Sequence, residues 1–200
     1  MPVVALGLYG VYLALAFGVR ILIQVRRTGS TGFHGLGGRP GSSEWVAGVG
    51  FIAAVVLGVA APILVLLDAV EPIGALDTSA IHAAGLALAV LGIAATFYAQ
   101  IAMGASWRIG VDPEENTQLV TSGPFGLVRN PIFAAMIPTA IGSAMLVPSW
   151  IALAGLVGLA AALELQVRVV EEPYLLRRHG GAYAAYAARV GRFVPGVGRL

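Results

Sequence analysis

The sequence contains no cysteine and no lysine, and it has few charged residues of any kind. Without cysteine it forms no disulfide, no thiolate metal site and no cysteine nucleophile. Charged residues make up 11% of the 200 positions and hydrophobic residues 58%, with a mean hydropathy of +0.86. A soluble domain carries roughly 25% charged residues. The composition therefore excludes an ordinary soluble enzyme and predicts a single domain, residues 1–200, that is solvated mainly by lipid.

Five apolar stretches are long enough, or nearly so, to cross a bilayer as helices, which takes about 20 residues. They run from Val3 to Ile23, Trp45 to Leu67, Ala80 to Met103, Ile132 to Val147 and Ile151 to Val167. The last two flank a Pro-Ser-Trp turn and are expected to form a tight hairpin, with a shallow re-entrant pair as the alternative. No basic residue precedes the first stretch, so we expect a retained span rather than a cleaved signal peptide. The sequence predicts an all-α integral membrane protein with five transmembrane helices.

All twelve basic residues are arginines, and all lie on one side of the five predicted spans. The loops on the other side carry only Asp68, Glu71 and Asp77 as charged residues. The positive-inside rule therefore places the arginines in the cytoplasm and the N-terminus outside. The isoelectric point of about 9.3 is explained by arginines beside anionic lipid headgroups. It therefore requires no nucleic-acid partner, and none is expected. The three histidines have no metal-ligand spacing, so no metal site is expected.

A first polar cluster lies between the third and fourth predicted spans. It reads Leu119-Val120-Thr121-Ser122-Gly123-Pro124-Phe125 and then Arg129-Asn130-Pro131-Ile132-Phe133. Glycine and proline predict a turn before Phe125, and Pro131 suits the first turn of the next helix. The start of that helix, with Arg129 beside it, suits an anion such as a carboxylate or phosphate. The alternative is that Arg129 only marks the cytoplasmic edge of a span.

A second polar cluster follows the fifth predicted span and contains Glu171-Glu172, Leu175, Gly180, Tyr183, Tyr186, Arg192 and Pro195. Helical spacing places four charged residues on one face: Glu164, Arg168, Glu171 and Glu172. They form either a self-paired ladder or a site for a cationic ligand. The two tyrosines form either an aromatic wall or a belt at the membrane interface. The apolar hairpin brings both clusters to the same membrane face, where charged groups are usually functional.

A glycine-rich stretch, Gly29 to Gly41, follows the first predicted span. No strand precedes it, so it is not a dinucleotide-binding fingerprint. We expect a cytoplasmic linker, with a lid over a site as the alternative.

In this order around a hairpin, the two clusters resemble the isoprenylcysteine carboxyl methyltransferase family and, more broadly, the membrane phospholipid methyltransferases. The resemblance covers about residues 100–195, whereas the first three spans match in number and hydropathy only. The segment from Ser106 to Asp112 is similar to bacterial members, which implies the inner membrane of a bacterium. The family often has histidine where this chain has Thr117 and Asn130, and tyrosine where it has Phe125 and Phe133.

The resemblance implies a methyltransferase that uses S-adenosylmethionine (SAM), held at the cytoplasmic face by residues 104–200, while residues 1–103 supply three spans. The family's cofactor contacts fall on Thr117, Gln118, Leu119, Val120, Phe125, Asn130, Pro131, Ile132, Phe133 and Glu171. The chemistry of SAM adds Arg129 for its carboxylate and Tyr183 for its adenine. Glu171 or Glu172 accepts from the ammonium or the ribose.

The acceptor implied by the resemblance is a lipophilic small molecule or a lipidated chain that enters from the bilayer, among membrane lipids. Its polar head would be oriented by Arg168 or Arg108. A carboxylate or thiolate acceptor needs no general base, whereas a neutral amine or alcohol has to lose a proton. Glu171 or Glu172 is the candidate proton acceptor, so the catalytic candidates are Arg168, Glu171 and Glu172.

Two other functions remain open at this point. A sterol-reductase-like enzyme would share a similar membrane half but use NADPH. Such reductases are longer and typically have cysteine and tryptophan where this chain has Leu175 and Tyr183. A non-enzymatic membrane scaffold is the second alternative, and it would bind neither cofactor.

Overall fold

The computed structural model describes residues 1–33, 35–110 and 118–200, so His34 and the predicted contact Thr117 lie outside the described residues. The described chain forms six helices: α1 (Pro2–Thr28), α2 (Ser43–Leu66), α3 (Ser79–Ala102), α4 (Pro131–Leu146), α5 (Trp150–His179) and α6 (Gly181–Ala187). Two short 3₁₀ turns, Gly104–Ser106 and Gly123–Gly126, lie in the described parts of the α3–α4 connection. Among the described residues, β-pairing is limited to two isolated bridges and no strand forms. The all-α prediction is therefore confirmed.

Four helices, α1, α2, α3 and α5, are long and apolar enough to cross a membrane by length and composition. Helix α4 is apolar but has 16 residues, a rise of about 24 Å against a hydrocarbon core of about 30 Å. The fifth span therefore stays a prediction. The amide of Ile73 donates to the carbonyl of Pro148 over 2.7 Å. The turn after α4 thus lies beside the α2–α3 loop, at the same end of the bundle.

Local sequence signals explain where the helices begin and end. Side-chain hydroxyls cap three of them: Ser42 accepts from the amide of Trp45, Thr78 from that of Ile81 and Ser149 from that of Ala152. Pro131 opens α4, as its position in the first cluster predicts. Helix α1 ends at Gly29, whose φ of +77° is in the left-handed region that favours glycine.

The bundle is built from two tightly packed helix pairs, α3 with α4 and α2 with α5, and α1 contacts both. Glycines set the close approach in each pair. A Cβ on Gly142 of α4 would lie 2.5 Å from the backbone nitrogen of Ala89 on α3. A Cβ on Gly155 of α5 would lie 3.3 Å from the backbone of α2. Because the tight contacts lie within the pairs, space remains between them.

A buried polar network joins α1 to the end of α3. Helix α1 is π-helical over Ala14–Val19, and the amide of Gln100 donates to the carbonyl of Ala16 there over 3.1 Å. The fully buried Arg20 donates to the carbonyls of Gln100 and Gly104 and lies 4.5 Å from the centre of the Trp107 ring. These contacts fix the Trp107 ring at the end of α3, next to the polar clusters.

Candidate functional site

A cavity of about 460 Å³ lies where the two helix pairs, the two polar clusters and α1 meet. Its polar residues lie near the helix ends, and they include Arg108, Gln118, Asn130, Gln166 and Glu171. Further along α1, α2, α4 and α5 the lining is apolar, with Phe17, Phe51, Val55, Met136 and Leu163. A cavity of this size, mostly apolar with a few converging polar groups, is typical of a small-molecule site.

The structure brings together every described residue of the predicted cofactor contacts. The following eleven line the one cavity: Gln118, Leu119, Val120, Phe125, Arg129, Asn130, Pro131, Ile132, Phe133, Glu171 and Tyr183. They come from the α3–α4 connection, the start of α4, the end of α5 and α6. Their contact with a cofactor stays a prediction, but the fold places them around one volume.

Arg129 ties the C-terminal segment to the start of α4. Its Nη1 donates to the carbonyls of Ala187 and Val190 over 3.1 and 2.6 Å. Its Nη2 donates to the carbonyl of Gly198 and to Glu172 Oε1 over 3.0 and 2.5 Å. Both terminal amino groups are fully used, so they have no N–H left for a cofactor carboxylate. This geometry gives Arg129 a structural role. Its Nε–H has no partner among the described residues, so the predicted contact with a cofactor carboxylate stays a prediction.

Glu172 is buried between two arginines and does not line the cavity. It accepts from Arg129 and, through both oxygens at 2.8 Å, from Arg192. The hydrogen bonds to Glu172 raise the pKa of Arg192, which keeps its guanidinium charged. The structure therefore makes Glu172 part of a buried ion-pair cluster, away from any molecule in the cavity.

The other two catalytic candidates lie in different surroundings. Glu171 lines the cavity and accepts one hydrogen bond, from Gln166 Nε2 over 3.4 Å. Successive residues of a helix point about 100° apart, which separates Glu171 from its neighbour Glu172. Arg168 is exposed, pairs with Glu164 and is absent from the described lining of the cavity. Of the three candidates, only Glu171 is placed to touch a bound molecule.

The aromatic residues of the two clusters form one buried wall. Tyr183 and Tyr186 are 1% and 4% exposed, and their rings meet edge to face with centroids 6.1 Å apart. The hydroxyl of Tyr186 donates to the carbonyl of Phe125 over 2.6 Å. Burial raises the pKa of both tyrosines to about 12, so their hydroxyls stay protonated. The burial favours the aromatic wall over the interfacial belt.

The described part of the glycine-rich stretch covers the cavity. Phe33, Gly35, Leu36 and Gly37 line it, and the carbonyl of Gly32 accepts from the amide of Ile109 over 2.7 Å. This bond holds the stretch against the chain that follows Trp107. The position matches the alternative of a lid rather than a linker that runs free of the site.

A comparison with known protein families identifies the family of this chain. The sequence model of the phospholipid methyltransferase family matches residues 80–182, more than half of the chain. The chain belongs to the phospholipid methyltransferase family. The matched residues include the first polar cluster, the α4–α5 hairpin and the part of the second polar cluster up to Ala182.

Two individual proteins are similar to this member of the family. The eukaryotic intramembrane Ras methyltransferase ICMT (isoprenylcysteine carboxyl methyltransferase) has the same fold, with a TM-score of 0.64 over 99% of this chain and 69% of that chain, at 21% identity. The nickel-cobalt-cadmium resistance protein NccN of Alcaligenes xylosoxydans xylosoxydans is 29% identical over 120 residues. That match spans 60% of this chain and 54% of the resistance protein. In the part of the chain that the structure describes, no three acidic or histidine side chains are grouped to hold a metal ion.

The sequence motifs did not identify several cavity residues from the N-terminal half of the chain. Glu44 at the start of α2, Gln100 on α3 and Trp107 all line the cavity. One signal was present: a polar residue inside an apolar helix, such as Gln100, is costly and usually has a role.

Proposed function

We propose that this membrane methyltransferase uses SAM to methylate a lipophilic acceptor that enters its cavity from the bilayer. The observation that carries the proposal is the convergence of the eleven described contact residues on one cavity that continues into an apolar space. Family membership supports methyl transfer, and the lining residues support the cofactor and the kind of acceptor.

The residues present fit SAM. The side-chain nitrogen of Asn130 donates to the carbonyl of Arg192, so its Oδ1 is left as an acceptor for a hydroxyl or an amine. Glu171 has no ion-pair partner among the described residues and would accept from the cofactor's ammonium or ribose. Phe125, Phe133 and Tyr183 offer apolar surface to the adenine. Arg129 holds the C-terminal segment against Asn130, and its Nε–H, which has no partner among the described residues, would donate to the cofactor.

The chain contributes to catalysis mainly through position and desolvation. Bound SAM supplies an electrophilic methyl group, whose bond to sulfur breaks with the electron pair on sulfur as an acceptor lone pair forms the new bond. The buried aromatic wall and the cover formed by Phe33, Gly35, Leu36 and Gly37 exclude water from the place of methyl transfer. A neutral amine or alcohol acceptor would pass its proton to Glu171, whereas a carboxylate or thiolate would need no base.

The acceptor's entry follows from the lining of α2. Ile52 and Val56 line the cavity and are also 48% and 58% exposed on the outer surface of the bundle. The cavity therefore opens sideways at the apolar level of the helices. We infer that a hydrocarbon chain enters here and that its polar head reaches Arg108, which lines the polar part of the cavity.

The arginine distribution supports a cytoplasmic active site and an outside N-terminus, and the resemblance of the Ser106 to Asp112 segment to bacterial members supports the inner membrane of a bacterium. The hydrogen bond between Ile73 and Pro148 supports a full crossing by α4, because it puts the α4–α5 turn beside the α2–α3 loop. We infer five spans on this basis.

Calorimetric titration of the detergent-purified protein with SAM, S-adenosylhomocysteine (SAH) and NADPH tests the cofactor. We expect saturable binding of SAM and SAH and none of NADPH. Glu171→Gln and Asn130→Ala should each weaken the binding of SAM by about 1–3 kcal/mol, the usual cost of losing a buried hydrogen bond that involves a charge. Arg168→Gln is the matched control, because its exposed side chain lies outside the cavity. Binding of NADPH alone would point to a reductase. Unchanged affinity for SAM in both Glu171→Gln and Asn130→Ala would show that this cavity is not the cofactor site.

A further inference from the structure

Glu44 is a carboxylate on the cavity wall that the family motifs do not include. It lies in the first turn of α2, after the cap residue Ser42. Its carboxylate lies where side chains on the two neighbouring glycines would be: a Cβ on Gly37 would be 2.0 Å from Oε1, and one on Gly38 would be 3.3 Å from Oε2. The absence of side chains at these glycines makes room for the carboxylate under the cover of the cavity.

Glu44 is the polar end of an otherwise apolar helix face, the acceptor wall. The α2 residues that line the cavity are spaced three and four apart and therefore share one face: Glu44, Ala47, Gly48, Phe51, Ile52, Val55 and Val56. From Glu44 to Val56 this face is about 18 Å long at 1.5 Å per residue. A molecule lying along it would meet hydrocarbon over most of its length and one carboxylate at the end nearest the predicted cofactor contacts.

The two carboxylates that face the cavity, Glu44 and Glu171, form no ion pair with another residue in the part of the chain that the structure describes. The terminal amino groups of Arg129 donate to Glu172 and to backbone carbonyls, and the positive charge of Arg108 acts on Glu171 without forming a described ion pair with it. Helix α2 packs against the Gln166–Glu171 segment of α5. Glu44 and Glu171 therefore reach the cavity from two packed elements, and both are available to a positively charged ligand.

We propose that Glu44 recognises the positive charge of the cofactor's sulfonium, so that the cavity binds SAM more tightly than SAH. The inference rests on the proposed function. The transferred methyl group has to point at the acceptor, which places the sulfur where the cofactor contacts meet the acceptor wall. Glu44 is the charged residue of that wall. After transfer the sulfur is neutral, the attraction to Glu44 is lost, and SAH is more easily replaced by SAM.

The same arrangement predicts a split between binding and turnover. Positive charge leaves the sulfur during the reaction, so a carboxylate there stabilises bound SAM at least as well as the transition state. Removing it should therefore raise the KM for SAM without lowering kcat. A residue needed only for folding would lower the active fraction instead and leave KM unchanged.

Equilibrium binding of SAM and SAH to the full chain tests this, with Glu44→Gln, Glu44→Asp and the control Glu71→Gln. We expect Glu44→Gln to weaken SAM binding about five- to tenfold, the order for two unit charges about 4 Å apart that stay in contact with water, and SAH binding less than twofold. Glu44→Asp keeps the charge and should recover part of the affinity. Glu71 is an exposed carboxylate at the other end of α2, so its replacement by glutamine should leave both affinities unchanged.

The remaining outcomes contradict the inference in distinguishable ways. Equal weakening of SAM and SAH would mean that Glu44 contacts a group common to both, and the sulfonium assignment would be wrong. Unchanged affinity for both would place Glu44 out of contact with the cofactor. If the unmodified protein bound neither molecule, the proposed function itself would fail, before any variant was compared.

Discussion

Replacing Glu172 by glutamine should destabilise the protein strongly, because it leaves two arginines in a buried place without their anion. The side chains of Glu172, Arg129 and Arg192 are 6%, 1% and 10% exposed. Removing one partner from a buried ion pair costs about 3–5 kcal/mol. For a domain of 150–250 residues each kcal/mol moves the melting temperature by about 2–4 °C. Glu172→Gln should therefore melt about 6–20 °C below the unmodified protein.

Thermal unfolding in detergent, followed by near-ultraviolet circular dichroism, measures this difference. Glu164→Gln is the matched control, because Glu164 pairs with Arg168 on the same helix while both side chains are about half exposed. An exposed pair of this kind contributes about 0.3–0.5 kcal/mol, so the control should melt within about 2 °C of the unmodified protein. A Glu172→Gln variant that melts as high as the control would refute the structural role of the cluster.

Two further predictions concern packing and topology. Gly142→Ala should destabilise the protein by about 1–3 kcal/mol in the same melting assay, because its Cβ would lie 2.5 Å from the Ala89 nitrogen. The control is Gly7→Ala, whose Cβ would have nothing within 4 Å, and it should be neutral or slightly stabilising. Equal effects of the two substitutions would contradict the α3–α4 packing. Because the chain has no native cysteine, a membrane-impermeant maleimide on intact cells should label Glu71→Cys and Trp150→Cys but label Ser30→Cys only after permeabilisation. Labelling of Trp150→Cys from the cytoplasmic side instead would exclude a full crossing by α4.

The two polar clusters show how far local pattern determines this site. The turn signals before Phe125, the proline at the start of α4 and the charged end of α5 were legible as motifs. An apolar hairpin of nearly equal arms has to return the chain to the same face, which is why both clusters meet around one cavity. The helical class followed from composition in the same way, since backbone groups inside a bilayer are satisfied within helices.

The roles of neighbouring charges could not be separated from spacing alone. Glu171 and Glu172 are adjacent in the sequence, and only the fold of the last ten residues brings Arg192 to Glu172 and leaves Glu171 at the cavity. Arg129 resembled an anion site because it precedes a helix. Its partners in the fold include three carbonyls and one carboxylate that follow it by 43 to 69 residues. Long-range contacts of this kind leave no periodic signal in the sequence.

The N-terminal half gave the least information about the site. Glu44 reads as an ordinary acidic residue in the first turn of a helix, where it complements the helix dipole. Its position on the cavity depends on how α2 packs along α5 and on where the glycine-rich stretch folds back. Likewise, nothing in the sequence shows that Arg20, near the end of the first apolar stretch, is fully buried against the end of α3.

The central claim is methyl transfer from SAM to a lipophilic molecule in this cavity, and a transfer assay tests it most directly. The purified protein would be incubated with SAM carrying a labelled methyl group and a total lipid extract of bacterial membranes, beside Glu171→Gln and Arg168→Gln. We predict that label moves into the organic-soluble fraction with the unmodified protein and Arg168→Gln, and far less with Glu171→Gln. Label in that fraction no higher than in a protein-free control, from a preparation that binds SAM saturably, would contradict the account.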